Sequence, residues 1–229
     1  MIATKIIKTI LICIAFELAI LPGFCLMRTF AQARFIPSES MAPTLQIGDR
    51  IVLENVSRFT GKLVERGSIV VFYPPPIELA GKDLSFDPLT VLGRATGFPF
   101  LPYEPAFVKR IIGVEGDTIR IEQGKGVFVN DKLIDEPYVS EPANYELDTM
   151  ADIGGRATDG SRIQPYKDDT KPIVVPKGMM FVLGDNRNNS EDSRVFGFVA
   201  TDRIIGRAWF MFLPHMAYIH APAWTRPRE

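Results

Sequence analysis

Phe107-Val108-Lys109-Arg110-Ile111-Ile112-Gly113 is the run whose reading decides the fold. It is rich in β-branched and apolar residues and is followed by the turn signal Glu115-Gly116-Asp117, so it reads as a strand over residues 107–114. The strand period of two puts Phe107, Lys109 and Ile111 on one face, with Val108, Arg110 and Ile112 on the other. One lysine then sits between two apolar side chains on a face expected to be buried. Burial disfavours the ammonium and lowers its pKa, which moves a lysine toward general-base duty near neutral pH. A surface lysine on an edge strand is the plain alternative.

Similar strand signals lie on both sides of this run. They cover residues 50–53 after Gly48-Asp49, 68–73 before Pro74-Pro75-Pro76, 118–122, 127–129 before the turn Asn130-Asp131, 179–183 and 204–212. No long stretch in this part of the chain has convincing helical periodicity. The expected fold class is therefore mostly β, a compact barrel-like arrangement of short strands. Residues 74–106, rich in Pro, Phe and Leu, are expected to pack against the core, with insertion into a bilayer surface as the sharper reading. Residues 140–169 are polar and read as an exposed excursion. Trp209 is expected in the core.

At the N-terminus, Lys5 and Lys8 precede an apolar run over residues 10–27, interrupted by Glu17 and Pro22-Gly23. As a helix it would be about 27 Å long at roughly 1.5 Å per residue, close to the ~30 Å of a bilayer's hydrocarbon core. One membrane span is expected. A cleaved leader ending at Ala31-Gln32-Ala33 is the rival, but the run is longer than an ordinary leader core. Orientation is weakly biased, because Lys5 and Lys8 are nearly balanced by Arg28 and Arg34.

Length and composition narrow the rest. At 229 residues the chain suits one anchor and one globular domain, and 46% hydrophobic with 23% charged residues argues against disorder. A net charge of −1 offers no reason to expect nucleic acid as a partner. Both cysteines, Cys13 and Cys25, fall in the apolar N-terminal run, so the rest of the chain can form no disulfide, and no metal site is expected.

Phe35-Ile36-Pro37-Ser38-Glu39-Ser40-Met41-Ala42-Pro43-Thr44-Leu45 sets two serines between two prolines, with apolar residues on either side. Serines in such turns are usually structural. A nucleophilic serine needs a base, and the histidines are His215 and His220, both near the C-terminus. The alternative is a serine served by a lysine kept neutral by desolvation, with Ser40 and Lys109 as the candidates. A third cluster, residues 184–194, follows the strand at 179–183 and packs turn formers with alternating charge. It suits a solvated turn, or a scaffold in which Asp185 or Asp192 pairs with an arginine to hold a site rigid.

Four blocks, PSESMAPTL (37–45), GDRIVLEN (48–55), FVKRIIGVEGD (107–117) and GDNRNNSEDSRVFGFV (184–199), occur in the order found in the type I signal peptidases, and the chain resembles that family up to about Val199. The block variants resemble its cyanobacterial and thylakoidal branch. The resemblance implies a membrane-bound serine endopeptidase that removes signal peptides from exported preproteins after small residues, in an Ala-x-Ala context, by a Ser-Lys dyad. It implies Ser40 as nucleophile and Lys109 as general base, with the Ser40 main-chain N–H and the Ser38 hydroxyl as oxyanion donors. Ser190 matches the hydroxyl that orients the lysine, and Asp185, Asp192 and Arg194 match the scaffold. Ile36, Leu45, Phe107 and Val108 match the walls of the pockets for small residues. Two positions depart from the pattern: Glu39 stands where many members have glycine, and Asn188 where an aspartate is common.

The implied organisation is an anchor at 1–29, a catalytic β core at 30–123 and 177–229, and a β-rich insertion at 124–176. No metal or organic cofactor is implied. The implied partners are preprotein signal peptides, the bilayer and a translocon contact, for a monomer with no nucleic acid. The implied place is the inner or thylakoid membrane, single-pass, with the catalytic domain on the trans side. Two rivals stand beside this reading: a membrane-tethered β domain that binds export substrates without cutting, and a self-cleaving regulator of the LexA type. The latter would need a DNA-binding domain where this chain has its apolar run. The resemblance also makes Ala31-Gln32-Ala33 a candidate for slow self-cleavage.

Overall fold

The computed structural model describes residues 30–57, 64–75, 86–96, 105–122, 124–140 and 172–222, with single positions at 8, 23 and 84. Apart from position 23, the expected span at 10–27, with Cys13, Glu17 and Cys25, lies outside the described residues, as do residues 141–169 of the polar excursion. Among the described residues no helix is long and apolar enough to cross a membrane.

Among the described residues twelve strands follow one another as β1 (Ala31–Phe35), β2 (Arg50–Glu54), β3 (Ile69–Phe72), β4 (Phe107–Val114), β5 (Thr118–Glu122), β6 (Gly126–Val129), β7 (Lys132–Leu133), β8 (Ile173–Val174), β9 (Met179–Leu183), β10 (Val199–Ala200), β11 (Ile204–Leu213) and β12 (Ala217–Tyr218). An eight-stranded sheet runs in the order β1-β2-β11-β3-β4-β9-β10, with β12 added to β11. It is a curled half-barrel, open between β1 and β10. A four-stranded sheet, β7-β6-β5-β8, forms the second unit. Thr118–Glu122 therefore belongs to the second sheet, which starts a few residues before the expected insertion boundary.

The expected strands at 107–114, 118–122 and 179–183 appear with those bounds, and the others within a residue or two. The turn at Asn130-Asp131 joins β6 to β7 with φ of 52° and 60° at its two residues, the left-handed geometry that Asn and Asp tolerate in tight hairpins. β1 was not foreseen as a strand. Its Ala31-Gln32-Ala33 pairs antiparallel with Val52 to Glu54 of β2.

Strand periodicity sorts the core into three clusters. In β3, Ile69 and Val71 enter one cluster and Val70 and Phe72 another; in β9, Met179, Phe181 and Leu183 face the second sheet while Met180 and Val182 face away. These strands are buried throughout, because central strands covered on both faces need apolar side chains at every position. β4 is buried from Val108 to Gly113, so both of its faces are covered rather than one. Lys109 lies in this strand at 4% exposure, which excludes the edge-strand alternative.

Two expectations are corrected. The chain between β3 and β4 holds a helix, α1 (Pro88–Thr96), started by Asp87, whose carboxylate accepts the Thr90 N–H at 3.1 Å, and by proline at the first helical position. Phe86, Leu89, Val91 and Leu92 in and beside α1 are exposed, so this part of 74–106 does not bury its apolar side chains in the core. Trp209 is likewise exposed, at 48%, and stacks edge-on with Tyr218 of β12. It points outward because β11 alternates, with Ala208 buried beside it.

Candidate active site

The turn carrying Ser40 is held from below by apolar anchors. Met41, Leu45 and Ile36 are fully buried in the cluster that includes Val108 of β4. The Leu45 N–H donates to the Met41 carbonyl at 2.9 Å, and the Ile36 N–H to the Asp49 carbonyl at 2.9 Å. The Asp49 carboxylate accepts the Gln46 N–H at 2.8 Å and closes the turn before β2. Full burial of each such aliphatic side chain contributes about 1.5–3 kcal/mol, enough to fix the short turn without regular structure.

Above these anchors Ser40 meets Lys109. Lys109 Nζ lies 2.7 Å from Ser40 Oγ, a hydrogen bond between two buried groups. Desolvation pulls the Lys109 pKa down from 10.5 to about 8; Asp192, Glu191 and Asp185 oppose this, while Arg194 adds to it. The lysine is therefore neutral far more often near neutral pH than an ordinary lysine, and its neutral form can take a proton from the hydroxyl it touches. Ser38 Oγ is 3.4 Å from Ser40 Oγ, on the exposed side of the turn.

The loop 184–194 supplies the rest. Its own short helix, α2 (Ser193–Phe196), is capped by Asp192, whose carboxylate accepts the Arg194 N–H. The same carboxylate takes Arg194 Nε and Nη2, each at 2.8 Å, and the Gly184 N–H at 3.0 Å. These contacts hold Asp192 below the usual carboxylate range despite its complete burial. Asp185 accepts Arg110 Nε at 2.8 Å and Nη2 at 2.6 Å, a buried two-pronged pair from the residue beside Lys109. The Asn186 N–H donates to the Ser40 carbonyl at 3.1 Å and ties the loop to the turn that carries Ser40. Both aspartates thus pair with arginine, as the loop's charge pattern suggested.

A cleft of about 1030 Å³ opens over this pair, and Ser38, Ser40, Phe107, Val108, Lys109 and Ser190 are among its walls. Ile36 and Leu45 are not; they are packed beneath it, at 2% and 0% exposure, and shape its floor through the turn they anchor. Ser190 lines the cleft, but its Oγ is buried without a hydrogen-bond partner, the Lys109 amine being bonded to Ser40. Glu39 is exposed, and His215 and His220 are exposed and outside the cleft. Arg110 and Arg187, both buried and bonded to this loop, were not foreseen as site residues. The signal for Arg110 was its position beside Lys109 in a strand covered on both faces.

A serine hydroxyl bonded to a buried amine of lowered pKa sits in an open cleft on a mostly β frame. The family model for signal peptidase, peptidase S26, matches residues 4–213. A probable signal peptidase I-2 of Synechocystis sp. is 40% identical over 189 residues, 82% of this chain and 66% of that protein. A probable signal peptidase I-1 of the same organism is 35% identical over 205 residues, 89% of this chain and 80% of that protein. Thylakoidal processing peptidase 1 of Arabidopsis thaliana is 36% identical over 184 residues, 80% of this chain and 42% of that longer protein. The chain belongs to the signal peptidase family, peptidase S26, and with it to the serine endopeptidases.

Proposed function

We propose that this protein removes N-terminal signal peptides from exported preproteins, cutting after a small residue in an Ala-x-Ala context with a Ser40–Lys109 dyad. The observation that carries the reading is the 2.7 Å contact between Lys109 Nζ and Ser40 Oγ at a buried site, where desolvation lowers the lysine pKa to about 8.

Neutral Lys109 takes the proton from Ser40 Oγ as the oxygen attacks the scissile carbonyl. Negative charge on the carbonyl oxygen is met by the Ser40 main-chain N–H and by the Ser38 hydroxyl, which reaches the oxyanion by rotation from its place 3.4 Å from Ser40 Oγ. Protonated Lys109 gives its proton to the leaving amine, which departs as the new N-terminus, and the acyl group stays on Ser40. Lys109 then takes a proton from the water that attacks the ester and gives it to Ser40 Oγ as the acyl–oxygen bond breaks, which restores the starting hydroxyl and neutral amine. Once Ser40 is acylated its hydroxyl no longer faces the amine, and Ser190 Oγ, buried and unbonded, is the acceptor that holds the amine in place. Phe107 and Val108 on the cleft wall limit the substrate side chains to small ones.

The reading places the enzyme in the inner or thylakoid membrane, anchored by residues 10–27, with the catalytic domain on the trans side. Exposed Phe35, Trp209, Leu213, Met216 and Tyr218, on or beside β1, β11 and β12, support contact with a bilayer surface. Its partners are preproteins, the bilayer and the translocon; it acts as a monomer and needs no cofactor. The test is cleavage of a preprotein by the detergent-solubilised full chain, wild type against Ser40→Ala and Lys109→Ala. Both variants should be inactive, and cleavage surviving either change refutes the dyad.

A further inference from the structure

The chain leaves the second sheet through residues 134–140 and runs against the loop that holds the site. There Glu136 accepts Nη1 of Arg187 at 3.0 Å, Nη2 of the same guanidinium, and the Tyr138 hydroxyl at 2.9 Å. The Arg187 side chain is completely buried and that of Glu136 is 11% exposed. A buried guanidinium needs a carboxylate beside it, and this one comes from a residue 51 positions away.

Arg187 transmits that contact to the site. Its Nε donates to the Gly184 carbonyl at 2.9 Å, and its own carbonyl accepts Arg194 Nη2 at 2.8 Å. The Gly184 N–H is held by Asp192 at 3.0 Å, so this residue is fixed at both its N–H and its carbonyl. Gly184 has no room to shift: a Cβ there would lie 2.5 Å from the Ser40 carbonyl oxygen and 2.1 Å from Ser190 Oγ. A second route runs through Tyr138, whose ring centre is 3.9 Å from the Arg110 guanidinium. Arg110 adjoins Lys109 and is paired with Asp185. Burial and the Glu136 charge push the Tyr138 phenol well up, so its hydroxyl remains a donor.

We propose that Glu136 and Tyr138 are positioning residues: by holding Arg187 and Arg110 they keep the loop 184–194 and Lys109 in register with Ser40, and so couple the inserted sheet to the catalytic pair. This rests on the Ser40–Lys109 reading above.

The test is Glu136→Gln in the full chain in detergent micelles, assayed on a preprotein alongside Ser40→Ala and Lys109→Ala. Loosening of the loop should lower kcat about tenfold or more with KM close to wild type, read at a temperature where the variant is still folded, because leaving buried Arg187 without its carboxylate lowers the thermal midpoint. The acid limb of the kcat profile should move as well, because the charges facing Lys109 (Asp192, Glu191, Asp185 and Arg194) all sit on this loop. Glu136→Asp should restore part of kcat, and Arg187→Gln should add little to Glu136→Gln. Wild-type kcat in Glu136→Gln with both dyad variants inactive overturns the positioning role and leaves the dyad standing. So does a loss of activity that follows the unfolded fraction with an unmoved pH profile. Cleavage by either dyad variant overturns the dyad itself and this proposal with it. If Glu136→Gln does not fold, Tyr138→Phe, which keeps the ring on Arg110 and removes only the hydroxyl, is judged by the same readouts.

Discussion

Lys109→Met should abolish cleavage and at the same time make the protein more stable. The wild-type lysine has its pKa lowered from 10.5 to about 8 in the folded state, with desolvation as the leading cause. Between those values the unfolded chain binds more protons than the folded one, so stability rises with pH through the window, and below about pH 8 the full cost of the buried ammonium is present. At about 1.4 kcal/mol per pH unit that cost is about 3 kcal/mol. A methionine of similar length bears no charge, so the gain should be about 3 kcal/mol at pH 7, fall to about 1 kcal/mol at pH 10 and vanish above the unfolded pKa. In a domain of this size such a gain raises the thermal midpoint by about 6–12 °C. Urea unfolding of wild type and variant at pH 7 and pH 10, followed by tryptophan fluorescence, measures both values. A variant less stable than wild type at pH 7, or an equal gain at the two pH values, refutes the desolvated lysine. The same lysine sets the acid limb of activity: with about one molecule in eleven carrying neutral Lys109 at pH 7 and half at pH 8, kcat/KM should rise about fivefold from pH 7 to pH 8 and nearly tenfold over each pH unit below pH 7.

Three further outcomes are expected. Glu191→Gln removes a carboxylate that holds the Lys109 pKa up, so the acid limb should move to lower pH and activity at pH 6–7 should rise; a shift toward higher pH in the rate profile contradicts the electrostatics. Arg110→Leu leaves Asp185 charged, buried and unpaired, which should cost about 3–5 kcal/mol in chemical denaturation. The double change Arg110→Leu with Asp185→Leu should recover much of that stability, and failure of the pair to recover any would show that the ion pair is not what the single change breaks. Gly184→Ala puts a methyl 2.5 Å from the Ser40 carbonyl and 2.1 Å from Ser190 Oγ, so the nucleophile turn or the loop must shift. Single-turnover acylation should slow about a hundredfold, and a rate near wild type would show that the contact is slack.

The strands were legible because they depend on short-range pattern. The β-branched and apolar residues at 107–114, the alternation at 118–122 and the apolar run at 179–183 marked β4, β5 and β9 at their observed bounds. Lys109 stood out because a cation between apolar neighbours on a strand is hard to place in water. α1 was overlooked although Asp87-Pro88 is a helix-start signal, since the apolar residues after it lack a clean amphipathic pattern and several are exposed. β1 was read only as a small-x-small peptide, because nothing local tells an edge strand from a cleavage site. Pairing with β2 places Ala33 in the sheet, so self-cleavage there requires the strand to peel away.

Trp209, Ile36 and Leu45 show the other limit. An aromatic in an apolar strand and aliphatics beside a nucleophile look alike whether they face core, cleft or solvent, and only the stacked layers assign them. By itself the sequence determined the strand-rich class and the order of the blocks, since these follow from residue type and spacing along the chain, and Ser40 and Lys109 came forward as candidates through the family resemblance. The tertiary structure alone decided that Arg110 meets Asp185 across 75 positions and Arg187 meets Glu136 across 51, and that Lys109 is desolvated enough for its pKa to fall. Ion-pair partners and desolvation depend on which distant segments share a buried volume, and no local pattern encodes that.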